Sequence, residues 1–284
     1  MQSTVHFTKM HGIGNDYVYI NGFAEHVENP EELAVRISDR HFGVGSDGLV
    51  LILPSHTADI RMRMFNADGT EAEMCGNASR CVGKFAYDHG LVKKDVMRLE
   101  TRAGIKIIRL RKDGDCVVGA TVDMGEPILE PAKIPVDTAW AKDGQCIEQD
   151  LEVNGTNFAV TCVSMGNPHA VLFVDDLDSL DLPRLGPCFE HHPVFPARIN
   201  TEFVKRISEN RVAMRVWERG AGETLACGTG ACAVGVACAL TGRTQRKLTV
   251  ALTGGELTID WNTSDGHVYM TGNAVTVFDG TFIL

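Results

Sequence analysis

The chain has 284 residues, 44% of them hydrophobic and 23% charged, which suits a soluble globular protein of one large domain or two ordinary ones. Its 27 Lys and Arg against 37 Asp and Glu leave a net charge of −10, which speaks against nucleic acid or an anionic membrane surface as a partner. No apolar run approaches the ~18 residues of a membrane span, and the N-terminal MQSTVHFTKMHG lacks a secretory apolar core, so a cytoplasmic location is expected.

In chain order, a helix is expected to begin at Asn29-Pro30-Glu31-Glu32, with Asn29 as N-cap and Pro30 in the first turn. Ile60, Met62 and Met64 alternate with Arg61 and Arg63, the period of a half-buried strand. A Gly-rich loop leads to Cys75-Gly76 and a helix that Gly90 would end, followed by a strand over Ile105–Leu110. Pro127, Pro131 and Pro135 mark a crossing between two halves, and Pro183, Pro187, Pro193 and Pro196 an irregular stretch in the second. The pattern then recurs: alternation over Val212–Val216, Cys227-Gly228, a helix carrying the uncharged run Ala231–Leu240, Gly242, and a strand over Glu256–Trp261. A helix apolar all round must be buried all round.

The recurrence is a repeat. At an offset of 152 residues, the separation of Cys75 and Cys227, Met62 meets Met214, Arg63 meets Arg215, Phe65 meets Trp217, Glu71 meets Glu223, Val82-Gly83 meets Val234-Gly235, and Gly14-Asn15 meets Gly166-Asn167. A period this long implies two homologous domains rather than a solenoid. The fold expected is α+β, each domain a barrel-like, mostly antiparallel sheet around a central helix, with the active site in the cleft between them.

Nine cysteines without a C-x-x-C argue against a disulfide framework and a structural zinc site. Cys81, Cys116, Cys146, Cys162, Cys188, Cys232 and Cys238 are read as inert packing residues. Cys75 and Cys227 differ, because both copies keep a Cys where a loop becomes a helix. Free amides and the helix dipole at such a place lower a thiol pKa and cradle an anion. Inverting a carbon needs a base on one face and an acid on the other, and one thiolate with one thiol supplies both. The amides of Gly76, Asn77, Gly228 and Thr229 would support the developing negative charge without a cofactor.

The offset also pairs Asn15 with Asn167, Asn66 with Glu218, Asn77 with Thr229, and Gly48 with Asn200. The second half is the more charged: Glu218 could hold an ammonium and Arg219 a carboxylate. His169 reads as a supporting group, and the histidines show no metal-ligand spacing.

The segments KMHGIGNDY, DRHFGVGSDG, FNADGTEAEMCGN, VSMGNPH, WERGAGETLACGTGACA and YMTG, spanning residues 9 to 272, closely resemble the diaminopimelate epimerase family. The resemblance implies interconversion of LL- and meso-2,6-diaminopimelate, in lysine and peptidoglycan synthesis, without pyridoxal phosphate or metal. It implies catalytic Cys75 and Cys227, substrate contacts from Asn15, Asn66, Gly76, Asn77, Asn167, Asn200, Glu218, Arg219, Gly228 and Thr229, and an active-site role for His169. A homodimer with Tyr269 at its interface is also implied, as are domains of residues 1–123 with 270–284 and of 124–269. The chain departs from the family where Gly48 replaces a Gln of some relatives, where Thr229 replaces Ser, and at Ala78 and Ser79. Two other readings compete: a proline or hydroxyproline racemase, whose substrate lacks the second amino-acid head that Glu218 and Arg219 would serve, and a non-catalytic cysteine-based redox or binding protein.

Overall fold

A computed structural model describes residues 4–142 and 144–284. The chain divides into two compact units, Met1–Asp123 with Thr271–Leu284, and Met124–Met270.

The first unit begins with β1 (Thr4–Gly12), β2 (Asn15–Asn21), α1 (Pro30–Ser38), β3 (Gly48–Leu53), β4 (Ile60–Asn66) and β5 (Glu71–Ala72). It continues with α2 (Gly76–Asp88), β6 (Val96–Thr101), β7 (Gly104–Asp113) and β8 (Cys116–Asp123). β2 and β3 run parallel, as do β4 and β6; the other paired neighbours are antiparallel. The apolar run of β3 has no polar alternation because both of its faces are covered. Val50 and Ile52 join Tyr17, Tyr19 and the Ala78, Val82 and Phe85 stripe of α2 in one core. Leu49 and Leu51 join Val18, Ile20 and the Leu33, Ala34 and Ile37 stripe of α1 in the other. Thus α2 is the central helix and α1 an outer one. Asn29 stands at the N-cap of α1 as expected, yet its side chain makes no capping bond.

The second unit contains β9 (Gln149–Val153), β10 (Thr156–Ser164), β11 (Pro168–Phe173), α3 (Leu182–Glu190), β12 (Asn200–Ser208), β13 (Arg211–Glu218) and β14 (Gly222–Thr224). It ends with α4 (Gly228–Leu240), β15 (Lys247–Leu252), β16 (Gly255–Trp261) and the first half of β17 (Val268–Asn273). The chain then returns to the first unit, where β18 (Val275–Ile283) lies antiparallel to β1.

Shifted by 152 residues, β1, α1 and α2 coincide with β10, α3 and α4 end for end. Both central helices close with the same C-terminal motif. Gly90 (φ +69°) and Gly242 (φ +66°) take the left-handed conformation, while Leu91 N–H bonds Ala86 O and Arg243 N–H bonds Cys238 O, each at 2.9 Å. The Arg–Glu forks are duplicated too: Arg63 grips Glu71, and Arg215 grips Glu223, through Nε at 2.8 Å and Nη2 at 3.0 Å in each case.

Two expectations need correction. The proline-rich stretch from Pro183 is not irregular throughout. Its first part is α3, capped by the Asp181 carboxylate on Arg184 N–H at 3.3 Å, with Pro183 in the first turn and Pro187 tolerated further along. Prolines early in a helix occupy positions whose N–H would be unbonded anyway. Not every remaining cysteine is buried, either: Cys116 is exposed and Cys188 half-buried.

Candidate active site

In the first unit, Cys75 is the extended N-cap of α2 (φ −136°, ψ 124°), half-buried, with Gly76 and Asn77 following in the first turn. The first i→i−4 bond of the helix runs from Ser79 N–H to Cys75 O, at 2.9 Å, so the amides of Gly76 and Asn77 precede the helical ladder. The β1–β2 hairpin turns through Ile13 (φ +53°) and Gly14 (φ +87°) and delivers Asn15 beside the thiol. A β-branched residue in the left-handed region costs on the order of 1–3 kcal/mol, which the flanking pairing must offset.

Cys75 Sγ donates to Asn15 Oδ1 at 3.4 Å, and Asn77 Nδ2 donates to the same oxygen at 3.3 Å. Asn15 Nδ2 donates in turn to Asp47 Oδ2 at 2.7 Å. Behind Asn77 lies a fully buried cation: Arg80 Nη2 donates to Asn77 Oδ1 at 2.9 Å. Gly12 makes room for that guanidinium, since a Cβ there would stand 2.8 Å from Arg80 Nη2. Arg40 bridges Asp16 at 3.1 Å and Asp47 at 2.9 Å, while Lys9 reaches Asp16. Burial raises the Asp16 carboxyl, but the Lys9 and Arg40 contacts outweigh it and leave the group below its ordinary range. For Asp47 burial prevails, and its carboxyl is held above that range.

Asn66 adjoins this cluster but makes its side-chain bond elsewhere. It ends β4 opposite Gly48, and its Nδ2 donates to Thr70 Oγ1 at 2.9 Å. Gly48 contributes no side chain and has no room for one, because a Cβ would lie 2.0 Å from Phe65 O and 2.8 Å from the Tyr17 ring.

In the second unit, Cys227 is the extended N-cap of α4 (φ −120°, ψ 110°), ahead of Gly228 and Thr229. The surroundings of its sulfur differ in kind. Gly230 N–H donates to Sγ at 3.4 Å, and Thr229 Oγ1 lies 3.6 Å from Sγ. Asn167 Nδ2 donates to Thr229 Oγ1 at 3.3 Å, and Asn167 Oδ1 lies 3.0 Å from His169 Nε2. His169 Nδ1 meets Glu202 Oε1 at 2.7 Å, with both side chains fully buried. Asn200 Nδ2 donates to Pro168 O at 2.7 Å, and its Oδ1 accepts Arg219 N–H at 2.9 Å, fixing the loop after β13. Glu218 accepts from Thr224 Oγ1, whereas Arg219 is exposed and donates to Ala197 O at 3.0 Å. Tyr269 is half-buried, its hydroxyl donating to Asp265 Oδ2 at 2.7 Å.

The lowered thiol pKa expected at both helix starts does not hold for Cys227. Burial pushes this thiol well above its ordinary range, and the charges of Glu218 and Glu202 push it further. The Thr229 and Gly230 hydrogen bonds pull the other way without prevailing. The balance follows from magnitudes: a helix end contributes ~0.3–1 kcal/mol, whereas full burial can move a titration by ~3–5 units at about 1.36 kcal/mol each. Glu218 is also raised, chiefly by burial, against hydrogen bonds from Thr224 and Cys227. Cys227 therefore rests as a thiol beside a buried carboxyl.

Three groups around the cysteines escaped the sequence reading: Asp47, Arg80 and Glu202. A signal was present for each, namely a charge in or beside an apolar segment: Arg80 in the helix after Cys75, Asp47 just before Gly-Leu-Val-Leu, and Glu202 just before Phe-Val. Arg80 and Glu202 are buried, and a buried charge has to be paired.

Comparison with known proteins gives a consistent picture. A family model described as Diaminopimelate epimerase matches residues 7–130 and 161–277. The diaminopimelate epimerase of Desulfovibrio desulfuricans is 63% identical over 287 residues, covering 100% of each chain. That of Acetivibrio thermocellus is 60% identical, covering 96% of this chain and 97% of its own. Among solved structures, a Bacillus anthracis phenazine biosynthesis protein of the PhzF family has a TM-score of 0.71 at 17% identity, covering 99% of this chain and all of its own. A hydroxyproline epimerase from Agrobacterium vitis, with trans-4-hydroxy-L-proline bound, has a TM-score of 0.67 at 15% identity, covering 98% and 91%. At such identity the two structures speak to the fold alone.

Proposed function

The chain belongs to the diaminopimelate epimerase family, and from that premise we propose that it converts LL-2,6-diaminopimelate to the meso form with Cys75 and Cys227 as the two proton-transfer groups. The observation that carries the assignment is the duplicated N-cap cysteine. Two equivalent sulfurs begin two equivalent central helices, Cys75 bonded to Asn15 and Cys227 linked to Asn167 through Thr229.

In the reaction, a thiolate takes the α-proton; an S–H bond forms, and the C–H electron pair remains on the α-carbon, delocalised into the adjacent carboxylate. The other cysteine then gives its thiol proton to the opposite face, ending as thiolate. The two roles exchange in the reverse direction. The backbone amides of Gly76, Asn77, Gly228 and Thr229 are assigned to the reacting carboxylate, where helix-end donors favour growing negative charge. In the substrate-free protein Cys227 is held as a thiol by burial and by the neighbouring Glu218 and Glu202 carboxyls.

Glu218 is assigned to a substrate ammonium, and Asn66, Asn200 and Arg219 to the rest of the amino-acid heads. An ammonium beside Glu218 would neutralise a charge that keeps Cys227 protonated, coupling binding to activation of the thiol. A homodimer with Tyr269 at its interface and a cytoplasmic location complete the reading, and both rest on membership of the family. Among the described residues, no helix is long and apolar enough to cross a membrane.

The experiment is incubation with LL-diaminopimelate in D2O. The native protein should exchange the α-hydrogen and form the meso isomer, while Cys75→Ala and Cys227→Ala should each lose about 10²–10⁴-fold in turnover. Full turnover in either variant would exclude two-thiol chemistry. Exchange with proline instead of diaminopimelate would favour a racemase of the hydroxyproline type.

A further inference from the structure

We propose that Glu202 is a positioning residue for the reaction: through His169 it turns Asn167 so that a directed chain of hydrogen-bond donors ends on the Cys227 sulfur. The inference rests on the assignment of Cys227 to proton transfer.

The chain is read from its buried end. Glu202 and His169 are both fully buried, so the 2.7 Å contact between Oε1 and Nδ1 holds a proton that water does not reach. That contact leaves Nε2 as the group facing outward, 3.0 Å from Asn167 Oδ1. An amide oxygen can only accept, so Nε2 carries a proton and donates it. With its oxygen engaged by His169, Asn167 must present its NH2 to Thr229, which it does at 3.3 Å. Thr229 Oγ1 accepts there, so its own hydroxyl proton is free to turn toward Cys227 Sγ at 3.6 Å. Each donor polarises the next, and the direction of the whole chain is set by its first member.

The first unit supplies the contrast. Asn15, the equivalent of Asn167, has no histidine behind it; Tyr17 holds that position and Val50 the position of Glu202. Asp47 accepts from Asn15 Nδ2, so this asparagine is turned the opposite way and offers its oxygen to Cys75. The duplicated frame thus turns an asparagine oxygen toward Cys75 and a chain of donors toward Cys227, and the partner behind each asparagine, part-exposed Asp47 or buried His169, makes the choice. The placement of Glu202 leaves a further trace. A Cβ on Gly230 would stand 2.5 Å from Glu202 Oε1 and 3.2 Å from Cys227 Sγ, so the carboxyl lies directly under the first turn of α4.

Glu202→Met keeps the length and apolar fit of the side chain but cannot bond Nδ1. Its turnover number should fall about 10–100-fold, as when the outer partner of a functional histidine is removed, with KM within about twofold of native. In a His169→Phe background the same change should bring no further loss of turnover, because the part of Glu202's action that aids the reaction runs through the histidine, while its direct charge only raises the Cys227 thiol pKa. Nitrogen-15 NMR of the unaltered protein at pH 7 should show His169 Nε2 protonated, a result that requires no variant to fold. Native turnover in Glu202→Met, independent losses in the double variant, or a bare Nε2 would each overturn the proposal. The NMR result does not depend on the chemistry of Cys227, and Cys227→Ala tests that chemistry without reference to Glu202, so the two failures are distinguishable.

Discussion

At the scale of single residues, the two N-cap cysteines share a backbone and differ in electrostatics. The first turns of α2 carry the buried Arg80 guanidinium, whereas Glu202 and Glu218 stand beside the start of α4. The sign of the nearest buried charge matters more to a thiol than the helix end, since burial weakens solvent screening of the first and leaves the second at a fraction of an elementary charge. A direct consequence concerns Glu218. Its charge raises the Cys227 pKa, so Glu218→Gln should let the Cys227 thiolate form at lower pH than in the native protein. Thiolate absorbance near 240 nm, followed in a Cys75→Ser background, would register the shift; an unmoved or raised titration would show that Glu218 does not govern this thiol.

At the scale of elements, α3 shows how a secondary layer serves the site. Glu190, at its last turn, accepts Trp217 Nε1–H at 2.8 Å, Gly220 N–H at 2.9 Å and Arg198 Nη1–H at 3.1 Å. These contacts hold both ends of the loop that carries Glu218 and Arg219. Gly186 lets the helix lie on Trp217, because a Cβ at this position would stand only 2.2 Å from the indole ring. Neither partner can yield, because Trp217 is held by its hydrogen bond to Glu190. Gly186→Ala should therefore cost about 1–3 kcal/mol as an overpacking change, read as a lower thermal midpoint with a weakened KM. A midpoint equal to native would mean that α3 and β13 can separate freely.

At the scale of the whole molecule, carboxylates with depressed pKa values occur in both units. The fork from Arg63 holds the Glu71 carboxyl below its ordinary value of 4.5. Burial would raise Glu190, yet the Trp217 and Gly220 hydrogen bonds leave it below 4.5 as well. A carboxyl whose folded pKa lies below its unfolded one stabilises the fold above the unfolded value, and that contribution fades as pH drops through the folded value. Acid should thus destabilise the protein from about pH 4.5 downward. Glu71→Gln and Glu190→Gln should flatten the fall in thermal midpoint between pH 7 and pH 3, and an unchanged slope in both would place the acid sensitivity elsewhere.

Much of this was legible in the residues alone, because a gene duplication prints its register along the chain: the offset joining Cys75 to Cys227 also joins the strands, caps and Arg–Glu forks of the two units. Applied consistently, it would have found α3 as well, since Asn29-Pro30 maps onto Asp181-Leu182 one residue ahead of Pro183. Periodicity likewise identified the central helices, since a run that is apolar on all sides has only an interior to occupy. What the chain alone determined was therefore its repeated backbone and the two sulfurs that start its central helices. Tertiary structure alone decided how each sulfur is tuned. His169 and Glu202 lie on the adjacent parallel strands β11 and β12, Asn167 on the turn before β11, and Thr229 on α4; only folding puts them in one chain of hydrogen bonds. The desolvation that keeps Cys227 protonated depends in the same way on atoms brought from far along the sequence.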